Sequence, residues 1–179
     1  YKQKKKTRAS VAIARGLQPL ADFILAQGGE MIEREAEKYL TEEVISIADA
    51  IQGAKDIIAE MISDDAEIRK SLRNYLVHRG DIECELQEGE QAYVYQMYNN
   101  YKSPIKTLPS HRVLAINRGE KEKYLKVNLV LKEQIAIDVI AKKYIKENSC
   151  YEELLNNVAI DAYDRLIFPS LEREVRNEL

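Results

Sequence analysis

Cysteine, proline and glycine are scarce in this chain, and each scarcity excludes something. Two cysteines, Cys84 and Cys150, stand 66 positions apart with no Cys-x-x-Cys and no histidine at ligand spacing. A disulfide framework and a zinc finger are therefore not expected, and the pattern fits a reducing, cytoplasmic setting. Seven glycines and four prolines among 179 residues are too few turn-formers for a β-sandwich. No apolar run approaches the roughly 20 residues of a membrane-spanning helix, so no membrane partner is expected. Gly-x-Gly-x-x-Gly, phosphate-loop and His-Glu-x-x-His patterns are missing too, and no cofactor is expected.

What the chain does have is charge in blocks. The net charge of −3 averages over them. Residues 1–29 carry six Lys/Arg against one acid, and residues 30–90 carry seven against seventeen. Residues 91–146 reverse the sign with eleven against four, and residues 147–179 return to three against eight. Two basic blocks suffice for local phosphate contact, although an acidic chain is not a general nucleic-acid binder. Such blocks also serve as solvated helix faces or docking surfaces.

The apolar periodicity is mostly helical. Thr7 caps a short helix that Gly16 ends, and Pro19 opens a second that Gly28 and Gly29 stop. Two short helices about a tight glycine turn, behind a basic arm, have the layout of a helix-turn-helix. A charged helix follows over residues 32–40, and Thr41 marks a new N-terminus. The long helix after it carries Ile47, Ile51, Ala54, Ile58 and Met61 as one stripe. Asp64 and Glu67, at capping-box spacing, open another helix with Ile68, Leu72, Tyr75 and Leu76 inward. Residues 82–86 and 125–131 alternate instead, predicting two short paired strands with acids of one opposite lysines of the other. The last third is helical. Leu155, Val158, Ala162 and Leu166 line one helix, and Pro169 opens a final one with Glu172 placed to pair Arg176. The expected fold is mainly α and multi-helical, with a helix-turn-helix-like start and one short two-stranded β pairing. Two subdomains are expected, residues 1–80 and 81–179. The missing initiator methionine and the uncapped final helix suggest a piece of a longer polypeptide.

Four tyrosines, Tyr93, Tyr95, Tyr98 and Tyr101, fall within nine residues. Val94, Met97, Tyr98 and Tyr101 share one helical face, which favours a core-facing helix over a base-stacking platform. Ser110 reads as an N-cap and Gly119 as the left-handed residue closing that helix. His111 and Arg112 then stand in a first turn, where positive charge opposes the helix dipole unless an anion answers it. A carboxylate of the acidic 30–90 block is the favoured answer, and phosphate is the other.

Three stretches occur in order across the chain. They are Tyr1-Lys-Gln-Lys-Lys-Lys-Thr-Arg-Ala-Ser with Gly16-Leu-Gln-Pro-Leu-Ala21, then Pro109-Ser-His-Arg-Val-Leu-Ala-Ile-Asn-Arg-Gly-Glu120, then Asp161-Ala-Tyr-Asp-Arg-Leu-Ile-Phe-Pro-Ser-Leu-Glu-Arg-Glu174. Together they resemble the bacterial Tex family of transcription accessory proteins, over that family's N-terminal helical region. The resemblance implies an elongated, mostly helical protein that binds nucleic acid in transcription, with a related eukaryotic elongation factor. It also implies that an RNase H-like domain, a helix-hairpin-helix module and an RNA-binding OB domain follow, the last making the strongest nucleic-acid contact.

On this reading the chain is a non-catalytic scaffold making weak, non-specific contacts to RNA or DNA. The candidate contacts are Lys4, Lys5, Lys6 and Arg8 in the arm, and Arg112, Arg118, Lys121 and Lys123 in the second basic block. Two alternatives follow. One is a module docking on RNA polymerase or on other domains of the same protein, and the other is a metal-dependent nuclease assembled from distant acids.

Overall fold

A computed structural model of the chain describes residues 6–179. It is mainly α, with a small antiparallel sheet, as the periodicity predicts. The chain divides into two compact units, one formed by residues up to Arg69 with Ile137–Phe168, the other by Lys70–Ala136 with Pro169–Leu179.

The first unit is helical. It comprises α1 (Arg8–Ala14), α2 (Gln18–Ala26), α3 (Ile32–Ala36) with a 3-10 turn (Glu37–Tyr39), and α4 (Ile47–Ser63). The start of α5 (Ala66–Arg79), most of α7 (Glu133–Tyr144) and α8 (Glu152–Asp161) complete it, with a π-helical segment (Ala162–Ile167). Helix α4 is the hub: α1, α2, α3, α8 and the π segment all pack on it. Its buried face is Ala50, Ala54, Ile57, Ile58 and Ile62. The expected stripe is thus one position off, since Met61 is exposed. Ser46 caps α4 by accepting from the Asp49 amide at 3.1 Å. Thr41 instead closes a local turn, accepting from the amides of Glu43 and Val44.

Helix ends explain several other one-residue differences. At the end of α1, Gly16 takes φ +82°, and the Gly16 and Leu17 amides donate to Ile13 and Ala12 carbonyls. That is a Schellman motif, with Leu17 folded back into the core. Gly53 of α4 leaves room for it, because a Cβ there would stand 2.3 Å from Leu17 Cδ1. Helix α2 ends at Gln27, in the left-handed conformation at φ +53°, ahead of the two glycines. The Gln27 side chain is fixed there, donating to the Tyr144 carbonyl and accepting from the Lys146 amide, each at 2.9 Å. Asp65, rather than Asp64, caps α5 by accepting from the Glu67 and Ile68 amides.

Pro169 does not open a separate helix. Helix α8, the π segment and α9 (Phe168–Glu178) follow one another without a break. Proline cannot donate to the carbonyl four residues back, and the widened π turn lies on its N-terminal side. The extra residue shifts the buried face, so Tyr163 and Ile167 are inside where Leu166 was expected.

The second unit holds β1 (Asp81–Leu86), a 3-10 helix (Ala92–Tyr98), β2 (Tyr101–Pro104), α6 (Ser110–Lys121) and β3 (Leu125–Val130). The rest of α5 and nearly all of α9 complete it. The sheet order is β2-β1-β3, so the expected β1–β3 pair exists and gains a third strand. Its register places Glu85 opposite Lys126, and Glu83 opposite Asn128 on one side and Lys102 on the other. Ile82, Cys84, Leu125, Val127 and Leu129 form the buried face. Burial pushes the Cys84 thiol up to about 11. The edge of β3 is closed at one point by Glu172, whose carboxylate accepts from the Leu129 amide at 2.7 Å. Glu172 is therefore not the partner of Arg176.

Among the described residues no single helix is long and apolar enough to cross a membrane.

Candidate nucleic-acid interface

The two basic groups predicted from sequence fall in different units. In the first, Lys4 and Lys5 lie outside the described residues. Lys6 and Arg8 flank Thr7, whose capping box with Ser10 starts α1. The Thr7 hydroxyl also donates to Glu60 Oε2 at 2.9 Å, which fixes the start of the helix to α4. Lys6, Arg8 and Arg15 are among the residues lining an open groove of about 620 Å³. Glu43, Asp49 and Asp56 line it too, with Glu43 3.9 Å from Arg15, so the groove is itself of mixed sign. Arg165 holds the Asp161 carboxyl below its usual range through hydrogen bonds of 3.0 and 2.8 Å, with smaller help from Arg8 and Lys55.

Helices α1 and α2 meet at 105°, within the range for a helix-turn-helix. The second helix carries no cation, and its exposed positions are Pro19, Asp22 and Ala26. Helix α2 thus presents no cationic side chain to phosphate or guanine.

In the second unit, Pro109 occupies the cap position of α6 and Ser110 is its first residue, so Ser110 does not cap it. The expected carboxylate partners for His111 and Arg112 are not found among the described residues. The Arg112 guanidinium lies over the Tyr101 ring, 5.5 Å from its centroid. Gly119 is interior to the helix and buried, because a Cβ would stand 2.5 Å from Leu125 Cδ1 and 3.0 Å from Tyr95 Cδ1. The left-handed closing residue is Lys123, at φ +67°. The Lys123 and Tyr124 amides donate to the Glu120 and Gly119 carbonyls, a second Schellman motif. Sequence reasoning looks for glycine in that role, so the lysine went unseen.

Arg118 is engaged with Glu122 at 3.1 Å, and Tyr95 donates to the other Glu122 oxygen at 2.9 Å. Tyr95 and Arg118 together hold the Glu122 carboxyl below its usual range. Lys121 and Lys123 are exposed and carry no ion pair among the described residues. Arg112 therefore sits at one end of α6, and Arg118, Lys121 and Lys123 at the other. Sequence missed the pairing of Arg176 with Glu120 and Asn117, at 2.5 and 3.0 Å. A separation of 56 positions leaves no local signal for it.

The tyrosine segment is not the expected α-helix. Its 3-10 geometry brings residues three apart onto one face, so Tyr95 and Tyr98 are buried while Val94 and Met97 are exposed. Tyr95 stacks on Tyr124, and Tyr101 belongs to β2. Among the described residues no three His, Cys, Asp or Glu side chains converge as a metal site requires.

Residues 30–179 match the family model described as Tex central region-like. The chain belongs to the Tex family. It is 42% identical to the YdcI protein of Bacillus subtilis over all of its own length and 26% of that protein's. It is 32% identical to the transcriptional accessory protein Tex of Neisseria gonorrhoeae, again over the whole chain and 25% of the relative. Human S1 RNA-binding domain-containing protein 1 shares 26% identity over 98% of the chain and 19% of its own length. The chain thus spans about a quarter of the length of its bacterial relatives.

Proposed function

We propose that this Tex-family region is a non-catalytic helical framework in transcription that makes auxiliary, sequence-independent contacts to nucleic-acid phosphates. The observation that carries the reading is the end of α6, where Lys121 and Lys123 project without acid partners while Arg118 is held beside them. Lys6 and Arg8 at the start of α1 supply a second, separate contact. Arg112 contributes through its place on the Tyr101 ring. The lysines are point charges, and the Arg112 and Arg118 forks are engaged by the Tyr101 ring and by Glu122, so these contacts position nucleic acid without reading it. The names of the Tex and S1 RNA-binding relatives agree with RNA or DNA as the class of partner.

The test is binding of the full chain to single- and double-stranded RNA and DNA at low and moderate salt. Affinity is expected to fall steeply with salt. Lys121→Glu with Lys123→Glu should lower the slope on duplex DNA by about 2, near 0.9 for each lost phosphate contact. Binding that ignores salt, or no binding at low salt, contradicts the proposal.

A further inference from the structure

Strand β3 is an edge of the sheet, since the order is β2-β1-β3. Its residues alternate in the direction of their backbone groups. The Gln87 amide donates to the Tyr124 carbonyl at 2.8 Å, so Lys126, Asn128 and Val130, in step with Tyr124, turn theirs toward β1. The Leu129 amide meets Glu172 instead, so Leu125, Val127 and Leu129 turn theirs outward. Two independent bonds thus give the same phase.

Glu172 satisfies one of these outward groups. The amides and carbonyls of Leu125 and Val127 have no hydrogen-bond partner among the described residues. The opposite edge, β2, is blunted by its four-residue length and by Pro104. Strand β3 runs six residues in unbroken register with β1 and contains no proline. It is therefore the edge open to pairing.

There is space beside it. An open cleft of about 510 Å³ is lined by Val127 together with Asn117, Glu120, Glu172, Arg173 and Arg176. Another, of about 730 Å³, is lined by Val127 and Leu125 together with Glu88, Glu120, Lys123 and Lys126. Of these acids, Glu120 is taken by Arg176 and Glu172 by the Leu129 amide. Lys123, Lys126 and Arg173 carry no ion pair among the described residues, and Glu88 alone stands against them.

The wet face of the sheet extends this pattern. Lys102, Glu83 and Asn128 form one row across it, and Glu85 and Lys126 form the next. A strand added outside β3 would continue the second row opposite Lys126, where an acid keeps the signs alternating. A second copy of β3 would bring its own lysines alongside Lys123 and Lys126, and like charges there repel. Phosphate accepts hydrogen bonds without donating, so it would leave the Leu125 and Val127 carbonyls unpaired.

We propose that the open edge of β3 takes up an extended acidic segment of another protein as a fourth strand. The segment's backbone pairs with the amides and carbonyls of Leu125 and Val127, and one of its carboxylates lies beside Lys126. This is strand addition, in which main-chain bonds give affinity and alternate side chains give choice. It does not rest on the phosphate contacts proposed above, which use neither these backbone groups nor Lys126.

The probe is a capped eight-residue peptide alternating threonine and glutamate, titrated into the isotope-labelled full chain and followed by amide chemical shifts. Saturable shifts are expected at Leu125, Lys126 and Val127, with slower hydrogen exchange of the Leu125 and Val127 amides. The same peptide N-methylated at alternate residues loses donors along one edge and should bind about tenfold more weakly. A threonine–lysine peptide should bind more weakly than the acidic one. Lys126→Glu, at an exposed position, should reverse that preference by up to about fivefold. No saturable shift at these amides, equal binding of the N-methylated peptide, or indifference to the Lys126 reversal overturns the proposal. So does a single-stranded oligouridylate that shifts the Leu125 and Val127 amides as strongly as the peptide.

Discussion

The two units of this chain are stabilised differently. The first surrounds α4 with apolar side chains and fastens α7 to the start of α5 through one carboxylate. Asp65 accepts from two α5 amides, from the Tyr144 hydroxyl at 2.6 Å and from Lys143 at 2.7 Å. Burial alone would push Asp65 up, but Lys143, Tyr144 and the Ile68 amide outweigh it and hold the carboxyl at about 2. The second unit instead is built on a small sheet with one wet, charged face. Its ion pairs, such as Lys102 with Glu83, are exposed and contribute little. On the proposed function, the α4 hub supplies rigidity, and the end of α6 and the start of α1 supply contact.

The largest effect should come from the hub. Ile58→Ala empties a fully buried position on α4 and should cost about 2–5 kcal/mol, read by urea unfolding. Leu114→Ala, the exposed counterpart in the second unit, should stay within about 0.5 kcal/mol. Equal losses would break the comparison. Asp65→Ala should cost about 2–4 kcal/mol, since it removes a helix cap and leaves buried hydrogen-bonding groups without a partner. The sign with pH follows from the lowered carboxyl. Its stabilising contribution is present above about pH 4, the unfolded value, and is lost as pH falls toward 2. Thermal melts at decreasing pH should show that loss in the native chain and not in Asp65→Asn. Gly119→Val comes next, at about 1–3 kcal/mol, because its side chain must enter space held by Leu125 and Tyr95. Lys121→Glu with Lys123→Glu should leave stability within about 0.5 kcal/mol while weakening nucleic-acid binding.

Much of this fold can be read from local pattern, and the departures have physical causes. The α1 cap, the Gly16 stop and the β1–β3 alternation are set by neighbours in sequence, so they are legible there. Strand β2 has only four residues and ends in Pro104, too short for a period to show. The tyrosine segment winds with three residues per turn, which a 3.6 pattern misassigns. Lys123 and Gln27 take the left-handed conformation where glycine was the expected residue. Gln27 does so because its side chain is held by Tyr144 and Lys146. The candidate cations themselves were visible as a charge block. Their actual partners were not, since Arg112 finds a ring and Arg176 finds a helix far away in sequence.

Hydrogen exchange of the full chain with a single-stranded oligonucleotide at low salt tests the division of labour most directly. The account predicts protection at the last turn of α6 and the start of α1, with α4 and α8 unchanged. Protection spread over α4, or none at the end of α6, would contradict it.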